Sequence, residues 1–212
     1  MLDQLVIDTD FHLENIESNY QQLFRRALPF LETRKNKIHT YIAYQYALAL
    51  LKHEPGEPEI AVPACILHDV GWSAVPEKDQ LKAFGPNGKD KIIKRKHEVE
   101  GRVIAREILR DLDYEPHRVD SILNIIDGHD TTLHAKSPED AIVKDADKLW
   151  RFSDVGFLID IQRFESPPLP YFKYLQKAIG EWFLTETGRQ IAGIELQMRE
   201  KELMRQYPVD TA

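Results

Sequence analysis

Eight histidines punctuate the chain, and four of them, His39, His68, His97 and His129, fall where helical spacing turns a side chain inward. His39 opens a helix whose next turns carry Ala43, Tyr46 and Leu50. His68 ends the apolar part of ILHDVGW, His97 heads a face with Gly101, Ile104 and Ile108, and His129 closes one with Val119, Ile122 and Ile126. His12, His53, His117 and His134 lie in loops, near termini or on polar stretches. For any single inward imidazole the plain reading is a hydrogen-bonded core histidine. Four on successive helices need a common solution, because each buried polar group requires partners, and a metal centre supplies one. Carboxylates would complete it. Asp69, at the end of an apolar segment, is costly unless a cation or several donors meet it. VKDADKLW then offers Asp145 and Asp147; Asp147, four residues after Val143, joins the inward side more readily, and Asp145 stays open. The His-Asp dipeptide alone carries little weight, since a second pair stands at His129-Asp130.

The elements that must position these groups are helices. Apolar residues recur at helical spacing almost throughout, with no convincing period-2 strand and no internal repeat. Leu13, Ile16, Tyr20, Leu23, Ala27 and Phe30 mark one face of a first helix, and a second runs from about Lys37 to His53, ended by EPGEP. Pro58 suits the first position of a third helix running into ILHDVGW, with Gly71 suited to its stop. Pro63 should kink that helix or delay its start. Residues 73–92 read as a loop. Ser137-Pro138-Glu139-Asp140 reads as an N-cap, a first-turn proline and an acidic first turn, opening a helix through AIVKDADKLW. PPLP at 167–170 breaks the chain, and one long final helix is predicted from Tyr171 to about Arg205. The expected fold is all-α.

At 212 residues the chain is expected to form a single domain over 1–212. A net charge of −7 opposes broad adhesion to polymeric nucleic acid or to an anionic membrane, while a local basic patch would still admit a small anion. The one cysteine, Cys65, excludes an intramolecular disulfide and a Cys-rich zinc site. The acidic start MLDQLVIDTD does not read as a signal peptide, and no apolar run reaches membrane-spanning length. The expectation is a soluble cytoplasmic protein; a homo-oligomer stays open.

In order, His39, His68-Asp69, His97, His129 and Asp147 resemble the HD superfamily of metal-dependent phosphohydrolases. The matching pieces are ILHDVGW, HEVEGRVIAREIL, IIDGHD and KDADKL, over roughly residues 35–155. The resemblance implies an HD-domain helical bundle with additional N- and C-terminal helices, the latter at about 170–206, and it supports Asp147 over Asp145. Counting ligands on that pattern gives His39, His68, Asp69 and Asp147 to one ion, His97 and His129 to a second, and Asp69 as the bridge and candidate catalytic residue. His129 is then a ligand and Asp130 is not. Mixed imidazole and carboxylate ligation suits two divalent transition-metal ions, Fe, Mn, Co, Ni or Zn.

The chemistry so implied is hydrolysis of a phosphoester or phosphoanhydride in a small phosphorylated, nucleotide-like substrate by metal-bound hydroxide. Basic residues flank the ligands: Arg34, Lys35 and Lys37 before His39, Lys94, Arg95 and Lys96 before His97, and Lys148 and Arg151 after Asp147. Of these, Lys148, Lys94, Arg95 and Arg34 are the substrate-phosphate candidates, against a plain reading of solvated helix ends. Some HD nucleotidases carry an acidic residue shortly after the HD pair; Val70-Gly71-Trp72-Ser73 has none, so the general acid is unassigned. Asp130 and Glu98 are nearby but read as surface charges, and Trp72 reads as a core residue. Two alternatives share the ligand pattern: an HD-fold mixed-valent di-iron oxygenase, and a metal-stabilised binding module without turnover.

Overall fold

The computed structural model describes residues 5–86, 88 and 90–206. Among them the regular structure is ten α-helices with short 3-10 turns and no strand, an all-α bundle. Helix α1 (Ser18–Ala27) is flanked by 3-10 turns at Leu13–Asn15 and Leu28–Phe30. The expected first helix is therefore shorter than its apolar face, because Pro29 lacks the amide that would continue it.

Helices α2 (Asn36–Leu51) and α3 (Pro58–Leu67) form the centre, with α3 buried from Ile60 to Leu67. Each fully buried Leu or Ile there, such as Ile42, Leu50 or Ile66, contributes about 1.5–3 kcal/mol. Pro58 occupies the first turn, where its missing N–H leaves no bond unmade. Pro63 lies inside α3 and neither delays nor ends it.

The stretch expected to be a loop at 73–92 is more structured than its composition suggests. It holds the short α4 (Glu77–Gln80), and Val75, Ala83 and Phe84 are buried with Trp72 in a small cluster of their own. The Gln80 amide donates to the carbonyls of Trp72 and Val75 at 2.9 and 2.6 Å, tying the segment down. Asn87 and Lys89 of this stretch lie outside the described residues.

Helix α5 (Lys91–Asp111) starts on Asp90, whose carboxylate accepts from the amides of Ile92 and Ile93, a cap worth about 1 kcal/mol. Then come α6 (Pro116–Ile126) and α7 (Pro138–Leu149), the latter capped by Ser137 as the sequence indicated. Helix α8 (Asp154–Arg163) was not expected; Ser153 caps it by accepting from the Gly156 amide. The predicted single final helix is in fact two, α9 (Pro168–Trp182) and α10 (Glu186–Gln206). The break has a distant cause. Phe183 is extended, and buried Asp145 of α7 accepts from the Leu184 and Thr185 amides and the Thr185 hydroxyl at 2.6–2.9 Å.

Helix α2 packs on α3 and α7, α3 also meets α6 and α7, and α5 crosses the 70–74 turn. That crossing explains Gly71. A Cβ there would stand 1.9 Å from the His97 carbonyl oxygen and 2.7 Å from the Gly101 Cα, so only glycine lets the turn after His68-Asp69 lie against α5. Gly71 serves close approach rather than the expected helix stop, since α3 already ends at Leu67. No described helix is long and apolar enough to cross a membrane.

Candidate metal centre

The four inward histidines meet at one point. His39 comes from the first turn of α2, His68 follows α3, His97 lies in α5, and His129 sits in the turn after α6. That turn requires Gly128 at φ +110°, a left-handed conformation that suits glycine. His39 Nε2 stands 3.0 Å from His68 Nε2, and His97 Nε2 stands 3.2 Å from His129 Nε2. The His68 and His129 rings are 5.1 Å apart, which joins the two pairs into one cluster. His12, His53, His117 and His134 are exposed.

Asp69 lies between the pairs. Its Oδ2 is 3.3 Å from His39 Nε2, while Oδ1 faces His68, His129 and His97 at 3.7, 3.7 and 3.9 Å. Asp147 Oδ1 adds contacts of 3.4 Å to His39 and 3.6 Å to His68. Asp145, only two residues away, is turned to the α10 cap instead. All six residues picked out by the sequence are thus in one cluster. Asp130, set outside that group, joins it too, with Oδ2 3.8 Å from His97 Nε2.

Supporting contacts orient the rings. His68 Nδ1 meets the Cys65 carbonyl at 2.6 Å and His129 Nδ1 the Ile126 carbonyl at 2.9 Å. An Nδ1–H donated this way leaves the Nε2 lone pair facing inward. Trp72 is buried, as expected, but does more than fill the core: it stacks on His97 at 4.0 Å and donates its Nε1–H to Asp69 Oδ1 at 2.9 Å.

The electrostatics describe a group of donors in search of a cation. Burial depresses His39 to about 4, and burial with the charge of His129 depresses His97 to about 4. Burial also opposes the charge on His129, but Asp69, Asp130 and Glu98 outweigh it and lift the ring to about 9. Asp69 and Asp147 are held well below the usual carboxylate range despite burial, Asp69 by the surrounding imidazoles and Asp147 by Lys148 and His68. Facing imidazole nitrogens at 3.0 and 3.2 Å, with carboxylate oxygens beside them, fit divalent ions of the transition series, which would take the place of the ring protons. Three overlapping groups have this potential: His39, His68 and Asp147; His68, Asp69 and His129; His97, His129 and Asp130.

His39, Asp69, His129 and Asp147 of the cluster line a cleft of about 380 Å³, with His68 and His97 buried behind them. Lys148 Nζ is 2.8 Å from Asp147 Oδ2, and Asp130 Oδ1 lies 3.7 Å from Lys94 and 3.9 Å from Lys148. These two lysines, Arg34 and Arg151 line the cleft. Arg95 does not. Its guanidinium pairs with Glu98 and Asp127 and borders a separate surface groove, so its place among the phosphate candidates is withdrawn. Lys37 leans on the Phe11 ring and Lys96 is exposed. The reading of Asp130 and Glu98 as surface charges also fails. Asp130 lines the cleft, while Glu98 is fully buried and accepts from the Asp130 and Thr131 amides, clamping the His129 turn to α5. Sequence spacing missed Asn36, Arg163 and Tyr174, which also face the cleft; Arg163 sits on the unexpected α8.

Comparison with curated proteins and with solved structures returns no match. A family model described as HD domain matches residues 37–151, a stretch that contains His39, His68, Asp69, His97, His129 and Asp147. An all-α bundle, His and Asp side chains gathered from α2, the end of α3, α5, the turn after α6 and α7, and this match over more than half of the chain agree: the chain belongs to the HD domain family.

Proposed function

We propose that the chain is a metal-dependent phosphohydrolase that cuts a phosphoester or phosphoanhydride in a small, nucleotide-like substrate. His39, His68, Asp69, His97, His129 and Asp147 would hold two divalent transition-metal ions, with Asp69 between them. The observation that carries this reading is the orientation of Asp69, whose two oxygens are turned toward different imidazoles, Oδ2 to His39 and Oδ1 to His97 and His129. When bound, such ions supply Lewis acidity toward a phosphoryl oxygen and a water of lowered pKa.

The chain's own residues do the rest. Lys148 is kept charged against its burial by Asp147 and Asp130, and with Lys94 it offers ammonium donors to phosphoryl oxygens at the cleft wall. Asp130 is drawn down to about 2, since Lys94 and Lys148 outweigh its burial; it stays ionised and orients the lysines rather than giving up a proton. Trp72 and Phe84 cover one side of the cleft and limit water there. A reducing cytoplasmic setting belongs to the same proposal, supported by the single, buried thiol of Cys65.

The test is metal content of untreated protein by plasma mass spectrometry, followed by phosphate release from a nucleotide panel with Mn or Co restored. Release that disappears in Asp69→Ala, with the helical signal intact, is the expected result. Two irons with a mixed-valent electron-spin signal and no phosphate release would replace the hydrolase with an oxygenase. Stoichiometric metal with no turnover of any substrate would leave a binding module.

A further inference from the structure

One wall of the cleft carries more positive charge than its surroundings balance. Arg34, Arg151 and Arg163 all line it, and all three guanidiniums gather around the Phe84 ring, at 4.3, 5.9 and 5.5 Å from its centre. One fully buried carboxylate, Asp160, serves this group. It takes Arg151 at 2.5 Å and Arg163 at 3.3 Å, and also accepts from the Tyr171 hydroxyl at 2.6 Å. Among the described residues no carboxylate pairs with Arg34, whose side-chain acceptor is the neutral Gln80 Oε1. Burial, with the charges of Arg163 and Arg151, outweighs the attraction of Asp69 and pulls the half-buried Arg34 guanidinium down to about 9.

The backbone goes out of its way to put Arg34 there. Arg34 and Lys35 adopt φ of 47° and 68° in succession, a left-handed conformation that side chains beyond glycine rarely take and that clusters at ligand sites. Arg163 Nη2 holds the turn by donating to the Arg34 carbonyl at 2.7 Å. Next to it Asn36 is 3 % exposed, lines the cleft, and leaves its Nδ2 without a partner among the described residues. A buried amide donor and a guanidinium fork facing the same space match an oxyanion.

The position relative to the metal centre is fixed by two indoles. Trp72 carries Arg34 at 4.7 Å and the His97 ring at 4.0 Å. Trp150 carries Arg163 at 5.6 Å and the His39 ring at 4.8 Å. The arginine wall is therefore one aromatic ring away from the imidazoles, within the span of a single small molecule.

We propose that Arg34, Asn36, Arg151 and Arg163 form an oxyanion subsite, so that the substrate carries a second phosphate or carboxylate besides the phosphoryl group that is cut. The assignment of the cut group rests on the hydrolase reading above; the subsite rests on the arginine wall. The test is calorimetric binding to the metal-loaded full chain of three probes: 1,3-propanediol bisphosphate, its analogue with a carboxylate in place of one phosphate, and propyl phosphate. At least one two-ended probe is expected to bind about tenfold or more tighter than propyl phosphate, the size of one charge-assisted hydrogen bond. The tighter of the two identifies the oxyanion.

That advantage is expected to shrink in Arg34→Gln and in Asn36→Ala, and to return in part in Arg34→Lys, with thermal melting checking each fold. Equal binding of one-ended and two-ended probes overturns the subsite, as does an advantage that survives both Arg34→Gln and Asn36→Ala. Phosphate release is followed in parallel. Arginine-dependent binding without release removes the hydrolase reading and leaves the subsite standing, and release without a two-ended advantage does the reverse.

Discussion

The indole of Trp72 donates its N–H to Asp69 at 2.9 Å while its face lies on His97. Two residues on different segments are thus fixed in one orientation by a third that offers the metal no ligand of its own. Trp72→Phe would keep the stacking and lose the hydrogen bond. Partners of this kind tune affinity by about 10–100-fold, so the variant is expected to fold normally and to release metal to a chelator at correspondingly lower chelator concentration. Competition titration with a chromophoric chelator measures this.

Asp145 and Asp147 are expected to separate stability from metal binding. Asp145→Asn removes a charged acceptor from the Leu184 and Thr185 amides and the Thr185 hydroxyl. It should cost about 1.5–3 kcal/mol in urea denaturation and retain metal. Asp147→Asn should lose metal stoichiometry in elemental analysis. Metal loss in the first variant, or full occupancy in the second, contradicts the division.

Gly71→Ala puts a methyl group against rigid backbone, 1.9 Å from the His97 carbonyl oxygen. Since neither α5 nor the 70–74 turn can give way cheaply, the variant is expected to lose about 3 kcal/mol or more. Gly193→Ala is the control, because nothing lies within 4 Å of a Cβ there. Equilibrium denaturation of both decides it.

Burial raises the Glu195 carboxyl above its ordinary 4.5. The unfolded chain releases this proton at lower pH than the folded one, so the group's contribution is fully present below about 4.5 and is lost as pH rises through the folded value. Glu195→Gln keeps an oxygen for the Tyr46 hydroxyl, which donates to Glu195 at 2.8 Å, and removes the titration. The variant's stability relative to the parent is expected to rise from about pH 4 to pH 7. A difference that is flat with pH would show that Glu195 titrates normally.

What the sequence disclosed, it disclosed through local periodicity. His39 and His97 lie within helices and His68 directly follows one, so apolar neighbours at helical spacing indicate which way each side chain turns. His129 lies past the end of α6, beyond the left-handed Gly128, and is held inward by its Nδ1 contact with the Ile126 carbonyl and by the Glu98 clamp on the turn rather than by helical spacing. Asp130 follows in that turn, where helical spacing no longer specifies direction, and its lining of the cleft left no mark in the pattern. The α9–α10 break and the arginine wall were hidden for another reason. Asp145 caps a segment about forty residues later, and Arg163 grips the Arg34 carbonyl from the far side of the chain. Contacts over such separations are set by packing and have no period to read. Composition misled at 73–92, where prolines and glycines shape a packed turn.

Helix α7 carries Asp145 and Asp147 two residues apart, which turns them about 200° from each other around its axis. One anchors the start of α10 and the other faces His39 and His68. The helix works like an axle with a pin on each side: it cannot rotate to improve one engagement without loosening the other. The amide protons of Leu184 and Thr185 are therefore a remote gauge of order at the centre, readable by hydrogen exchange without touching a ligand.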